Sequence, residues 1–456
     1  MNFKKNYFLL TLFLLFSFMA KSQIDAIRME ARTVFLIGTN TDDLQEDCDV
    51  LLEGQQSNGR LQEASASSSF PIEQLEGLVT LCQGYATLTD MDPNHNIVMA
   101  NNNLTTLKTG IVNGLDYWYQ NVDYYESDES WWWNEIGKQR ELHKISVLFY
   151  DHLKDVALGG VDPVLSAPID APEELFIGVD CQDPPGGSTP EICTIKEAIS
   201  ADFPITIIEP DDEDMVDEYT GANKADIAVS IIAKGMLENS ITWVNAGKDE
   251  IRCAMVFSTV VNPDHDYDGI REDFSFQQHN QNNGNGLLYA GGYGQSLIHN
   301  VGVWGKVFMD ANYDFISTDK QIFFDFILKG YRRMIIGNTT DYSANGRYIV
   351  RNYPNNNAAI SPEDMNLVIS MAGGNSTEIG ENLALMSANS VLGSRQSFED
   401  KHYHFWKSDY VTHHESNYFT SVRMCSDRTI GTESLGGENQ RGYCALWLYL
   451  FLSKRR

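Results

Sequence analysis

The sequence predicts a mainly α-helical protein that turns to antiparallel β-structure only near its C-terminal end. Three observations predict it. Apolar residues recur at roughly helical spacing in six stretches, 74–88, 102–119, 135–153, 222–237, 287–308 and 320–336. Loops rich in Gly, Pro, Asn and Asp separate them, as in a series of helical hairpins. Near residue 398 the texture changes. Segments 403–406, 410–413 and 418–424 are short, aromatic and β-branched, with turn residues between them.

Taken in order, the chain opens on a secretion signal. Lys4 and Lys5 form a positive start, residues 8–20 an apolar stretch, and Ala20-Lys21-Ser22 supplies small residues at cleavage spacing. The competing reading is an uncleaved anchor, but the apolar run is short for a membrane span and polar sequence follows at once. The expected product is secreted or periplasmic, freed of residues 1–22 and not attached to a membrane. About 430 residues remain, enough for two domains or one large one. The division expected is a helical domain, 23–397, and the start of a β-domain, 398–456. Residues 57–69 read as a Ser/Ala-rich connector and 209–218 as an acidic, solvated loop. No repeat of fixed period stands out.

Composition narrows the function. An aromatic content of 11% suits a large core or a sugar-facing surface. The net charge of −30 argues against nucleic acid as a partner. Charge is local, however. Lys329, Arg332, Arg333, Arg347 and Arg351 stand against Asp341 alone over residues 329–351. Such a strip can focus an anionic ligand, or it can be the solvated face of a helix. Of the seven cysteines, Cys181 and Cys193 flank a Pro/Gly loop and could pair in an oxidising compartment. The others read as buried thiols.

Several motifs carry chemistry. Trp131, Trp132 and Trp133 are consecutive, and at helical spacing their indoles fan over about 200°. Some must face a cleft or solvent, where flat rings stack on sugar C–H faces. Thr220-Gly221-Ala222-Asn223 opens a helix, and Asn223 is either a cap or an amide free to bind a carboxylate. Asp264, Asp266 and Asp268 imitate the front of a calcium loop, but Ser275 stands where the closing Glu belongs, so no metal site is expected. His279, followed after an Asn/Gly loop by Tyr289 and Tyr293 on a Gly-loosened turn, suits acid–base work or a structural pair. Arg347 and Arg351 share a face if helical and could clamp a carboxylate or sulfate, or pair with the many acidic residues.

The order of these motifs resembles one family. Trp-Trp-x-x-Glu-Ile-Gly, Thr-Gly-Ala-Asn, Ser-Phe-x-Gln-His with a later Tyr-Gly, Gly-Arg-x-x-x-Arg, His-Phe-Trp-x-Ser-Asp-Tyr and Arg-Thr-x-Gly-Thr-Glu-Ser follow one another over residues 110–443. The sequence is similar to the polysaccharide lyases that include hyaluronate, chondroitin AC and xanthan lyases. The resemblance implies an incomplete α/α toroid followed by an antiparallel β-sandwich domain. It implies β-elimination on an anionic, uronic-acid-containing polysaccharide by a monomer with no cofactor. Asn223 and His279 match the pair that engages the uronate carboxylate, and Tyr293 the catalytic tyrosine. Arg347 and Arg351 match substrate-binding arginines, Trp131 and Trp132 the aromatic patch, and Glu433 an acidic residue from the β-domain.

The departures also matter. Ser130 replaces a common Asn, and Gly436 another. The insertion at 280–286 lengthens the step from His279 to Tyr293 and leaves Tyr289 as a rival base. His413-His414-Glu415 replaces a more basic run. After Tyr443 the resemblance stops, and a sheet cut this early is expected to expose its edge and to leave the chain poorly soluble or weakly active. Two other functions compete: a glycan-binding remnant without catalysis, and a glycoside hydrolase, for which no convincing carboxylate pair can be named.

Overall fold

The computed structural model describes residues 3–61, 70–91, 104–126, 132–153, 199, 203, 220–258, 268–281, 285–336, 339–346, 359–391, 401–415, 418–424, 426, 429 and 447–452. The chain divides into two compact units. One comprises Met1–Ile205 with Val229–Gly247, the other Thr206–Ala228 with Lys248–Arg456.

The first unit is helical among its described residues: α1 (Phe3–Phe35), α2 (Thr41–Gly54), α3 (Phe70–Met91), α4 (Leu104–Glu126), a π-helical turn (Trp133–Gly137), α5 (Lys138–Leu148) and the short α6 (Tyr150–Leu153). Asn40 caps α2 by accepting from the Asp42 amide, and Asp42 and Asp43 complement the helix dipole. Helix α3 packs against α2, α4 and α5. These helices bury Leu75, Leu78, Leu81 and Ala86 of α3 with Ile111, Leu115 and Trp118 of α4 and Leu142 and Ile145 of α5, all fully buried or nearly so. Along α1, Phe18 and Met19 are exposed, whereas Ile24, Ile27 and Ala31 are sealed. Among the described side chains of α1, burial begins at Ile24, just beyond the expected cleavage point.

Helices α7 (Gly221–Glu238) and α8 (Ile241–Met255) contribute residues to both units. The second unit continues with β1 (Gly269–Ile270), β2 (Phe276–Gln281) and β3 (Asn285–Leu288), then α9 (Tyr293–Asp310), α10 (Ser317–Asp325), a π turn (Phe326–Gly330) and a 3-10 turn (Tyr331–Met334). Next come a two-residue hairpin, β4 (Ile335–Ile336) and β5 (Thr339–Thr340), and helices α11 (Pro362–Met371) and α12 (Glu378–Val391). Ser361 caps α11, with Pro362 opening it. Helix α11 packs on both α9 and α12. The last sheet is an antiparallel meander of β6 (His402–Phe405), β7 (Tyr410–His414), β8 (Tyr418–Arg423) and β9 (Trp447–Leu452).

Two expectations change. The stretch 287–308 is not one helix: Leu287 and Leu288 pair with Gln278 and Gln277 in the β1–β3 sheet, and the helix begins at Tyr293. A short, wholly buried apolar run has no periodicity to separate strand from helix. The stretch 320–336 breaks after Asp325 into π and 3-10 turns, so Arg332 and Arg333 do not line one solvated helix. Both are half-buried; Arg333 lies 4.5 Å over the Tyr403 ring, while Lys329 pairs with Asp325 at 2.8 Å. Strand β8 is paired with β9 along its whole length, from Tyr418↔Leu452 to Arg423↔Trp447, which leaves β9 as an outer strand of this sheet among the described residues.

Candidate active site

The site is built in the second unit from the start of α7, the end of β2 and the turn into α9. Gly221 begins α7 with φ +58, a conformation that L side chains rarely adopt. A Cβ there would lie 2.4 Å from the Gln278 side-chain oxygen. The approach is used: Gln278 Oε1 accepts the Ala222 amide at 3.0 Å, and its Nε2 donates to Asp268 Oδ2 at 2.6 Å and to the Thr220 carbonyl at 3.3 Å. Thr220 Oγ1 donates to the same Asp268 oxygen at 3.0 Å. Gln278 and Asp268 are buried, so the clamp is shielded from water. It bonds the residue before Asn223 to the residue before His279.

Asn223 therefore sits inside the first turn of α7, 7% exposed. It does not serve as the helix cap. Its Oδ1 is buried and, among the described residues, accepts no hydrogen bond. A buried polar atom without a partner costs about 1–3 kcal/mol and needs a reason. One turn along, Asp226 accepts from Asn300 Nδ2 at 2.8 Å, tying α7 to the helix that Tyr293 begins.

His279 is the strained member. Its φ is +55, within β2, where the register with β3 shifts between Gln278 and Gln281. A bulge re-aims a side chain, and left-handed backbone at a non-Gly residue is held only where neighbours enforce it. The enforcement is visible in the two residues that precede it. Gln278 holds α7, and Gln277 donates to the Lys407 carbonyl at 2.8 Å and to Ser408 Oγ at 3.0 Å. Asp273, sealed from water, receives the Ser275 amide and hydroxyl and the Lys407 amide, at 3.0, 2.7 and 2.6 Å.

The rings of His279 and Tyr293 meet edge to face with centroids 4.9 Å apart, and Tyr289 packs on Tyr293 at 4.8 Å and 88°. The two tyrosines differ in access. Tyr293, the first residue of α9, is 9% exposed; Tyr289 is 0% exposed. Gly346 explains the second value: at φ +54, its added Cβ would stand 2.4 Å from the Tyr289 ring. The backbone preceding Arg347 thus closes over the rival tyrosine.

Trp132, in the first unit, is half-buried beside the π turn, with the Arg140 guanidinium 5.3 Å from its ring. Trp133 turns inward, 7% exposed. The π turn adds one residue to the helical ladder, a feature frequent at functional sites. Trp131, Arg347, Arg351 and Glu433 lie outside the described residues, as do the Cys181–Cys193 pairing, the acidic run 209–218 and residues 264–267 at the front of the calcium-like loop. Among the described cysteines, Cys48 and Cys82 are buried free thiols and Cys253 is exposed. The sequence motifs contain Gln278 and Asp268 but do not reveal the clamp that these two side chains form. The only signal was two polar residues, Gln277 and Gln278, in a strand flanked by apolar ones.

Comparison with known proteins identifies the family. Residues 53–173 and 191–384 match the N-terminal α-helical domain of polysaccharide lyase family 8, and residues 400–445 match its super-sandwich domain. The chain is 29% identical to chondroitinase-AC of Pedobacter heparinus over 227 residues, 50% of this chain and 30% of that protein. It is 23% identical to a hyaluronate lyase of Thermasporomyces composti over 262 residues, 51% of this chain and 32% of the relative. These matches span about a third of each relative's length. A solved chondroitinase AC lyase superposes with TM-score 0.67 at 20% identity, over 94% of this chain and 54% of that one. The chondroitin AC lyase of Streptomyces coelicolor, in complex with chondroitin sulphate, gives 0.64 at 17% identity, over 95% and 58%. The shared fold is mainly α, an incomplete α/α toroid followed by the start of an antiparallel sheet domain. With the family models matching well over half of its residues, the chain belongs to polysaccharide lyase family 8.

Proposed function

We propose that the chain is a secreted, monomeric lyase that cleaves uronic-acid-containing polysaccharides of the chondroitin and hyaluronan kind by β-elimination. The names of its relatives support the substrate class. The observation that carries the reading is the 4.9 Å contact of His279 with Tyr293, next to a clamp that ties the His279 strand to the start of the Asn223 helix. The exposure of Phe18 and Met19 beside the burial of Ile24, Ile27 and Ala31 supports a mature chain that begins near residue 23. The division proposed is a catalytic toroid, 23–397, and a β-domain from 398.

The chemistry follows from residue types. The C5 proton of a uronate is poorly acidic until the neighbouring carboxylate is neutralised. Asn223 and His279 hydrogen-bond that carboxylate and favour the aci-carboxylate intermediate. Tyr293 removes the C5 proton and returns a proton to the departing O4, leaving a 4,5-unsaturated uronate. A free tyrosine has a pKa of about 10, so a cation must favour the phenolate, and Arg347 is assigned that task. Arg351, Trp131 and Trp132 hold the polymer through its anions and its sugar faces. Glu433 supplies an acidic group from the β-domain. The scheme runs on side chains alone.

The test is to incubate the purified chain with hyaluronan, chondroitin sulfates and other uronans, following ultraviolet absorbance and new reducing ends together. Both should rise. Reducing ends without absorbance would mark a hydrolase, and binding with neither would mark a non-catalytic glycan binder.

A further inference from the structure

Asp341, Tyr410 and Arg423 form a buried polar group for which the elimination scheme has no use. Asp341 stands after β5, Tyr410 starts β7 and Arg423 ends β8, where the two strands face each other as a register pair. The Tyr410 hydroxyl donates to Asp341 Oδ2, and Arg423 Nη1 donates to the Ser343 carbonyl at 2.9 Å. Asp341 Oδ1 accepts the Ser343 amide at 3.3 Å, and its carbonyl accepts the Ala344 amide at 2.9 Å. None of the three side chains reaches solvent to any useful extent.

From here an unbroken set of contacts reaches the tyrosine turn. The Ala344 carbonyl accepts the Gly291 amide at 3.0 Å. A Cβ added to Gly291 would fall 1.7 Å from Asn345 Oδ1, so Asn345 presses directly on that residue. Gly346 abuts the Tyr289 ring, and Tyr289 abuts Tyr293 at 4.8 Å. Segment 341–346 is thus held by the sheet on one side and braces residues 289–293 on the other.

We propose that Tyr410 and Arg423 are positioning residues, which act through segment 341–346 to set the place and ionisation of Tyr293. This deepens the lyase reading and rests on it. Burial pushes Asp341 above the usual carboxylate range and Tyr410 well above the usual phenol range. The same burial lowers Arg423 to about 10. A charged or half-paired group in such a place is costly, so the three hold together as a unit. Removing one loosens the others rather than merely deleting one bond.

The test compares Tyr410→Phe and Arg423→Met with Phe419→Leu, a core substitution in β8 outside the chain of contacts, all in the full chain. Tyr410→Phe and Arg423→Met should each lower kcat by about tenfold or more with KM within about twofold, because misplacement of a reacting group acts on the chemical step. Phe419→Leu, at a similar loss of Tm, should leave kcat within about twofold. In parallel, fluorotyrosine placed at position 293 reports that residue by fluorine NMR. Its titration midpoint should move in Tyr410→Phe and stay in Phe419→Leu. If Tyr410→Phe proves unable to fold, Arg423→Lys carries the same comparison. Equal effects in all three variants, or an unmoved fluorine titration, would overturn the proposal. A wild-type chain that forms no unsaturated product would instead overturn the lyase reading, and the fluorine titration would then decide the positioning claim alone.

Discussion

Helices α3, α4 and α5 are joined mainly by leucines and isoleucines, with buried Gln74 of α3 donating to the Gly114 carbonyl of α4 at 3.2 Å as a polar exception, whereas the segment from Asp268 to Gly346 is joined by hydrogen bonds between buried polar side chains. In the first region Leu75, Leu78, Leu115 and Leu142 are sealed without a polar partner to satisfy. In the second, Asp268, Asp273, Gln277, Gln278 and Asp341 are equally sealed, and each is held by two or more directional bonds. Apolar packing tolerates small shifts and sets an architecture. Directional bonds tolerate little and can hold a strained residue such as His279 in place. The candidate chemistry lies in the second region.

The contrast can be broken by substitution. The largest effect is expected for Gln278→Leu. It leaves the Ala222 amide without its acceptor and Asp268 without a donor, costing about 3 kcal/mol of stability. It also frees the start of α7 from the His279 strand, so kcat should fall by roughly a hundredfold or more. Chemical denaturation and steady-state kinetics on one preparation check both. Leu78→Ala should cost a comparable ~3 kcal/mol through its cavity while leaving kcat and KM near those of the parent. Similar kinetic losses in the two variants would erase the distinction between the regions.

A smaller effect concerns pH and the sheet. His414 lies on β7, and its Nε2 donates to the Arg333 carbonyl at 2.8 Å. Burial lowers its pKa from 6.5 to about 4, with Arg333, His413 and Arg332 opposing its charge. The fold prefers the neutral ring, so this contribution is complete above 6.5 and is lost as pH falls toward 4. It amounts to on the order of 3 kcal/mol. His414→Gln should flatten the decline in Tm between those values. An unchanged slope would show that other groups govern acid loosening of this unit.

The same contrast explains what was legible beforehand. Helices α3, α4 and α7 showed themselves because their apolar residues recur on one face. Strands β6, β7 and β8 did so through short aromatic and β-branched runs between turns. Leu287 and Leu288 did not, since a run buried on every side carries no period. The π turn at Trp133 was hidden because its one extra residue changes geometry without changing composition. Helices α2, α8, α11 and α12 carry weaker periodic signals, being shorter or more polar. Asn223, His279 and Tyr293 were legible as an ordered set. Gln278 was not, because its significance is a bond to an amide 56 residues away. Asp341, Tyr410 and Arg423 were hidden for the same reason. The preference for Tyr293 over Tyr289 needed Gly346, whose closeness to one ring no spacing reveals.

The most direct measurement is the initial rate of unsaturated uronate formation by Tyr293→Phe and Tyr289→Phe beside the parent chain. Tyr293→Phe should lose at least about a thousandfold in kcat, because the group that moves the proton is gone. Tyr289→Phe keeps the ring that packs on Tyr293 and should retain activity within about tenfold. The reverse pattern, or full activity in Tyr293→Phe, would contradict the account.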